Sequence, residues 1–209
     1  MNETTPAPAV DAKIAQPEIP PVRDLPAATA SHLEIALLLR LLDESTAHWR
    51  NEMLYQMSNE FPEGWGRIEP TIDQIVWQPF AGGHSIGALL LHMAGVEIFW
   101  LHDVGSGRTI VEEKDPLLLA WPADQDAVDN VQWPTPPRQP LSWYFGQLDA
   151  VRARTKDLLQ TATPNDVHTR QADGAQFTMR WLLGYVNVHE SYHGGQCVLL
   201  ALAAARQGG

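Results

Sequence analysis

Apolar residues recur along this chain at steps of three and four, and four separate stretches carry that rhythm. The first opens at Ser31, read as an N-cap, and runs to about Asn59 through Leu38, Leu42, Ser45, Trp49 and Met53. The cluster Phe61-Pro-Glu-Gly-Trp-Gly66 breaks it. A second helix is predicted from about Ser85 to Asp103, with Leu89, His92, Val96 and Phe99 on its apolar stripe and Gly105-Ser-Gly107 as its stop. The third runs from Leu141 to about Thr161 through Tyr144, Leu148, Val151, Thr155 and Leu158. The fourth, about Thr178 to Arg206, carries Leu182, Val186, His189, His193, Gln196 and Leu200. One short helical piece is expected around Ile72–Val76. Nothing between these stretches alternates long enough to demand a strand.

Four amphipathic helices of this length predict an all-α fold, an antiparallel-type four-helix bundle over residues 31–209. Residues 105–139 hold five prolines and are too long for a tight turn, so that connection either crosses the bundle or covers a site. Residues 1–30 hold six prolines and almost no large apolar side chains, which predicts a disordered or extended arm.

Charge narrows the partners. A net charge of −11 with no basic run excludes the phosphate-neutralising surface that nucleic-acid binding needs. The lone cysteine, Cys197, rules out an intramolecular disulfide and fits a reducing compartment. No run of roughly 18 apolar residues is seen, so no membrane span is expected. The amino terminus shows neither the basic nor the apolar region of a secretion signal, and the expected location is the cytoplasm.

The candidate chemistry lies in three histidines. His189 and His193 are four apart, so on a helix both rings share a face, and His92 falls on the apolar stripe of another helix. Three inward imidazoles from two helices suit a divalent metal such as Zn, Ni, Cu or Fe, with a position left for water or substrate. The competing reading makes each a core histidine satisfied by one hydrogen bond. Gln196 shares their face and could orient a ligand, or simply pack. Tyr185, one turn before His189, could donate to substrate or serve the core. Cys197 reads as a buried apolar thiol more than a fourth ligand. Glu190 and Tyr192 are expected to point off the centre, and His84 to stand outside the ligand set. His32, His48, His102 and His168 are expected at or near the surface. No phosphate loop, nucleophile elbow or H-E-x-x-H motif competes.

With these motifs in order, the chain resembles the DinB-like (DinB/YfiT) superfamily over about residues 33–206. The resemblance rests on Val76-Trp-Gln-Pro79, on Gly83-His-Ser-Ile-Gly-Ala-Leu-Leu-Leu-His-Met-Ala-Gly95 with Trp100, and on His189-Glu-Ser-Tyr-His-Gly-Gly-Gln196. The family's histidine in the second helix maps onto His92, and its His-x-x-x-His-x-Gly-Gln onto His189, His193, Gly195 and Gln196. The resemblance implies a bundle with one long crossover between its second and third helices, often dimeric, with Zn or Ni at one end. It also implies small-molecule substrates, since relatives include S-transferases and isomerases that use low-molecular-weight thiols such as mycothiol or bacillithiol. Related sulfoxide synthases carry His-x-x-x-His-x-Glu; Gly195 stands at that position here, which argues against that role.

The expected function is therefore a metal-dependent enzyme, foremost a thiol-dependent S-transferase acting as a homodimer, with Trp121 and Trp133 walling the substrate pocket. A hydrolase and a non-catalytic metal-binding or stress-response protein are the alternatives.

Overall fold

The computed structural model describes residues 30–57, 70–106 and 133–206. The proline-rich arm, the breaker at residues 61–66 and Trp121 lie outside the described residues. Helix α1 spans Ala30–Met57, α2 Ile72–Val76, α3 Ile86–Glu97, α4 Leu141–Leu158 and α5 Met179–Arg206. The fold is mostly helical. Its one sheet, among the described residues, pairs β1 (Val167–Thr169) with β2 (Gln176–Thr178) in antiparallel register.

Local chemistry explains most boundaries. The Thr71 hydroxyl accepts from the Gln74 amide while the Gln74 side chain accepts from the Thr71 amide, closing a capping box on α2. The Ser85 hydroxyl accepts from the Ala88 amide and starts α3. Ser31 is not the cap expected of it, because α1 already begins at Ala30. The hairpin, unforeseen because three-residue strands are too short to show alternation, turns at Gly174, whose φ of 74° only glycine adopts freely.

Helix α3 is buried on every face, where a single stripe had been expected. It continues as a π-helical segment, Ile98–Val104, closed by the Gly105 amide donating to the Trp100 carbonyl at 3.0 Å. Contrary to expectation, the 19-residue stretch Ile86–Val104 is long and apolar enough, by length and composition, to cross a membrane. Within the fold 83% of that window is buried inside the protein.

Contacts fix the relative helix directions. Arg180 meets Glu34, Asn187 donates to the Leu38 carbonyl and Ser191 meets Ser45, so α1 and α5 run parallel. Gly87 faces Tyr144 and Glu97 meets Arg152, so α3 and α4 also run parallel. Helices α3 and α5 run antiparallel, with His92 beside His189 and Trp100 beside Trp181. The pairs Asp43–Lys156 and Arg50–Asp149 set α1 antiparallel to α4. Parallel α3 and α4 put the end of one and the start of the other at opposite ends of the fold.

Two apolar clusters fill the interior. Trp49, Met53, Leu89, Leu90, Tyr144, Leu148 and Cys197 form one, and Leu42, Val96, Leu101, Leu182 and Leu183 belong to the other. Each fully buried leucine contributes roughly 1.5–3 kcal/mol. Together they hold α3 rigidly against α5, where the histidines meet.

Candidate metal centre

His92 projects from the middle of α3, and His189 and His193 from consecutive turns of α5. One ligand atom from each lies within 4.8 Å of the other two, and His92 Nε2 stands 3.0 Å from His189 Nε2. Tetrahedral Zn–N bonds of about 2.0–2.1 Å require N···N separations of roughly 3.3–3.4 Å. The two rings thus need only a few tenths of an ångström to accept an ion. Among the described residues these three histidines alone form such a group.

The rings are held in their neutral form. Burial, reinforced by the neighbouring imidazoles, pushes His92 down to about 2. Burial and His193 push His189 down to about 3. Burial also lowers His193, against a partial rise from its bond to Gln196. Neutral imidazole is the form that ligates a metal.

Gln196 orients one ligand directly. Its Oε1 lies 2.6 Å from His193 Nδ1, and its Nε2 donates to the Tyr192 hydroxyl at 3.1 Å. A carbonyl oxygen can only accept, so Nδ1 carries the proton and the Nε2 lone pair of His193 is left for a metal. Of the two roles weighed for Gln196, orientation is the one the geometry supports. Tyr185 stacks on His189 with centroids 6.0 Å apart and continues into Trp181, 5.2 Å away. It is more exposed than a core residue, so it flanks the centre rather than filling the interior.

Other residues sort around these. Trp133 packs edge-on against His84 at 4.2 Å and His92 at 4.9 Å, walling the buried side. Its amide donates to the Gly82 carbonyl, and Gln78 Nε2 bonds the carbonyls of both Gly83 and Trp133. His84 reaches within 6.4 Å of His193, centroid to centroid, yet stays outside the ligand group. Cys197 is fully buried among apolar residues, where burial pushes its thiol up, and it does not join the triad. His32 and His48 are exposed, while His102 and His168 are half-buried. A 330 Å³ cleft lined by α1 and α4 contains none of the three histidines.

Glu190 points off the centre, as expected, and does so into a buried network. It is 2% exposed, more buried than its neighbour His189, and its carboxylate accepts from Arg152 Nη2 at 2.6 Å. Arg152 also binds Glu97 through Nε at 3.0 Å. Burial raises the Glu190 carboxyl above its ordinary range, although Arg152 and Thr46 oppose the shift. Neither Arg152 nor Glu97 carries a local sequence signal, since charged residues on helices read as solvent-facing. Glu97 alone offers a hint, an acid inside the apolar run 93–101.

Comparison with known proteins agrees with the motif reading. No curated protein and no solved structure gives a match. A sequence model of the DinB superfamily matches residues 65–197, which include His92, His189, His193 and Gln196 and make up well over half of the chain. This protein belongs to the DinB superfamily.

Proposed function

We propose that the chain is a four-helix-bundle enzyme that binds a divalent metal and transfers a thiol to a small electrophile. The observation that carries this reading is the convergence of three neutral, desolvated imidazoles from two helices on one point. His92, His189 and His193 would hold Zn or Ni, leaving a position open to substrate. A metal held there would supply the Lewis acidity that makes a thiol or water nucleophilic at neutral pH.

The chain's own residues set what surrounds that position. Gln196 fixes the His193 tautomer, Trp133 excludes water beside His92, and the Tyr185 ring offers an apolar flank for the electrophile. The acid nearest in sequence, Glu190, is bonded to Arg152 and Thr46. It is therefore not free to act as the general base that water activation usually employs. Three neutral ligands leave the cation's charge uncompensated, which favours an anionic nucleophile, thiolate and hydroxide alike. With Glu190 occupied, a thiol, which ionises far more readily than water, ranks S-transfer above hydrolysis. The exposed Val188, Tyr192 and Leu199 on the outer side of α5 support a homodimer.

The test is turnover of an activated halide by Zn- or Ni-loaded protein, with and without a low-molecular-weight thiol. S-transfer predicts product only with thiol, lost in His189→Ala. Turnover without thiol would favour a hydrolase. No turnover in either arm would leave a metal-binding protein without catalysis.

A further inference from the structure

We infer that Arg152 is a positioning residue for the histidine cluster, tying the two ligand-bearing helices to a single guanidinium. The inference rests on the metal reading above. Arg152 rises from α4 and is 6% exposed. Its Nε donates to Glu97 at 3.0 Å, and its Nη2 to Glu97 at 3.0 Å and Glu190 at 2.6 Å. Its Nη1 donates to Asp43 at 3.1 Å and reaches Thr46 at 3.4 Å. The guanidinium is fully engaged.

Both carboxylates are gripped from a second side as well. Thr155 donates to Glu97 Oε1 at 2.5 Å, and Thr46 and Trp49 donate to Glu190 Oε1. One buried network thereby joins α1, α3, α4 and α5. Such networks are weak evidence for net stability, but when fully satisfied they specify one geometry.

What this network specifies follows from where its acids sit. Glu190 is the residue after His189 on α5, and Glu97 lies five residues after His92 on α3. Successive helical residues are about 100° apart around the axis, so each carboxylate points well away from its neighbouring imidazole. Turning either helix enough to spread the imidazoles would pull a carboxylate off Arg152. The clamp and the cluster are two sides of the same helix orientations.

Arg152→Lys keeps the positive charge, so charge alone predicts unchanged binding of a divalent ion, whereas losing alignment should weaken it. The experiment measures Zn affinity by chelator competition and the visible spectrum of the Co(II)-loaded protein. It compares wild type, Arg152→Lys and Glu97→Gln, each checked for folding by circular dichroism. A lysine ammonium cannot bridge both carboxylates with a planar fork. We expect Zn affinity to fall about 10–100-fold in Arg152→Lys, with altered Co(II) bands. Glu97→Gln removes an anion and so weakens cation binding by charge alone, but altered Co(II) bands in it report lost alignment, and that spectrum carries the test if Arg152→Lys does not fold. Unchanged or tighter binding with an unchanged spectrum in folded variants would overturn the positioning role and leave the metal reading intact. A wild-type protein that binds neither Zn nor Co(II) would overturn both.

Discussion

His92 and His189 are 97 positions apart in the chain, yet their Nε2 atoms face each other at 3.0 Å. Two neutral imidazoles at this distance are placed to share either a proton or a divalent ion, with His193 beside them as a third ligand. The relationship makes the candidate metal site a property of how α3 and α5 are aligned.

Support of the ligands is the first test. Replacing Gln196 by Leu removes the acceptor that fixes His193. Zn affinity should fall about 10–100-fold with little change in unfolding midpoint, because Gln196 is half-buried and outside the core clusters. Chelator competition beside a urea titration separates the two quantities. Equal affinity in the variant would show that Gln196 only packs.

The paired glycines after His193 should behave oppositely. A Cβ at Gly194 would come within 2.5 Å of the buried Trp49 ring, whereas one at Gly195 meets nothing within 4 Å. Gly194→Ala should destabilise by about 1–3 kcal/mol through overpacking. Gly195→Ala should be neutral or stabilising by roughly 0.5–1 kcal/mol through helix propensity. Urea unfolding of both variants checks the order, and a reversed order would contradict the α1–α5 packing.

Acid should weaken the metal-free protein in a defined window. His92 and His189, held down to about 2 and 3 by burial, stay neutral when folded but protonate near 6.5 when unfolded. The unfolded chain then binds more protons, so their contribution is complete above about pH 6.5 and is lost as pH falls toward the folded values. Each costs about 1.4 kcal/mol per pH unit inside that window. Glu190, raised by burial, works in the opposite direction nearer its own titration. The clean readout is therefore a difference. The stability slope of His92→Leu between pH 6 and 5 should be shallower than wild type by about one histidine's share. Identical slopes would mean that His92 protonates in the folded protein.

The helices were legible because their apolar stripes are long. Leu42, Trp49 and Met53 on α1, and Leu141, Tyr144 and Leu148 on α4, are buried as their spacing predicts. The histidines were legible for the same reason, lying on stripes where a polar side chain is conspicuous. The all-round burial of α3 was not, because it depends on how many helices pack around it. The Glu97–Arg152–Glu190 network was hidden too, since three charges on three helices become a buried cluster only once the helices meet. Helix direction likewise needs the contacts between α3 and α4 before it can be read.

Elemental analysis of untagged protein, wild type beside His189→Ala and His193→Ala, tests the central claim most directly. The proposed metal reading expects near-stoichiometric Zn or Ni in wild type and loss of the metal from both variants. Wild-type protein that holds no metal, even after incubation with Zn and Ni, would contradict it and leave His92 bonded to His189 and His193 bonded to Gln196.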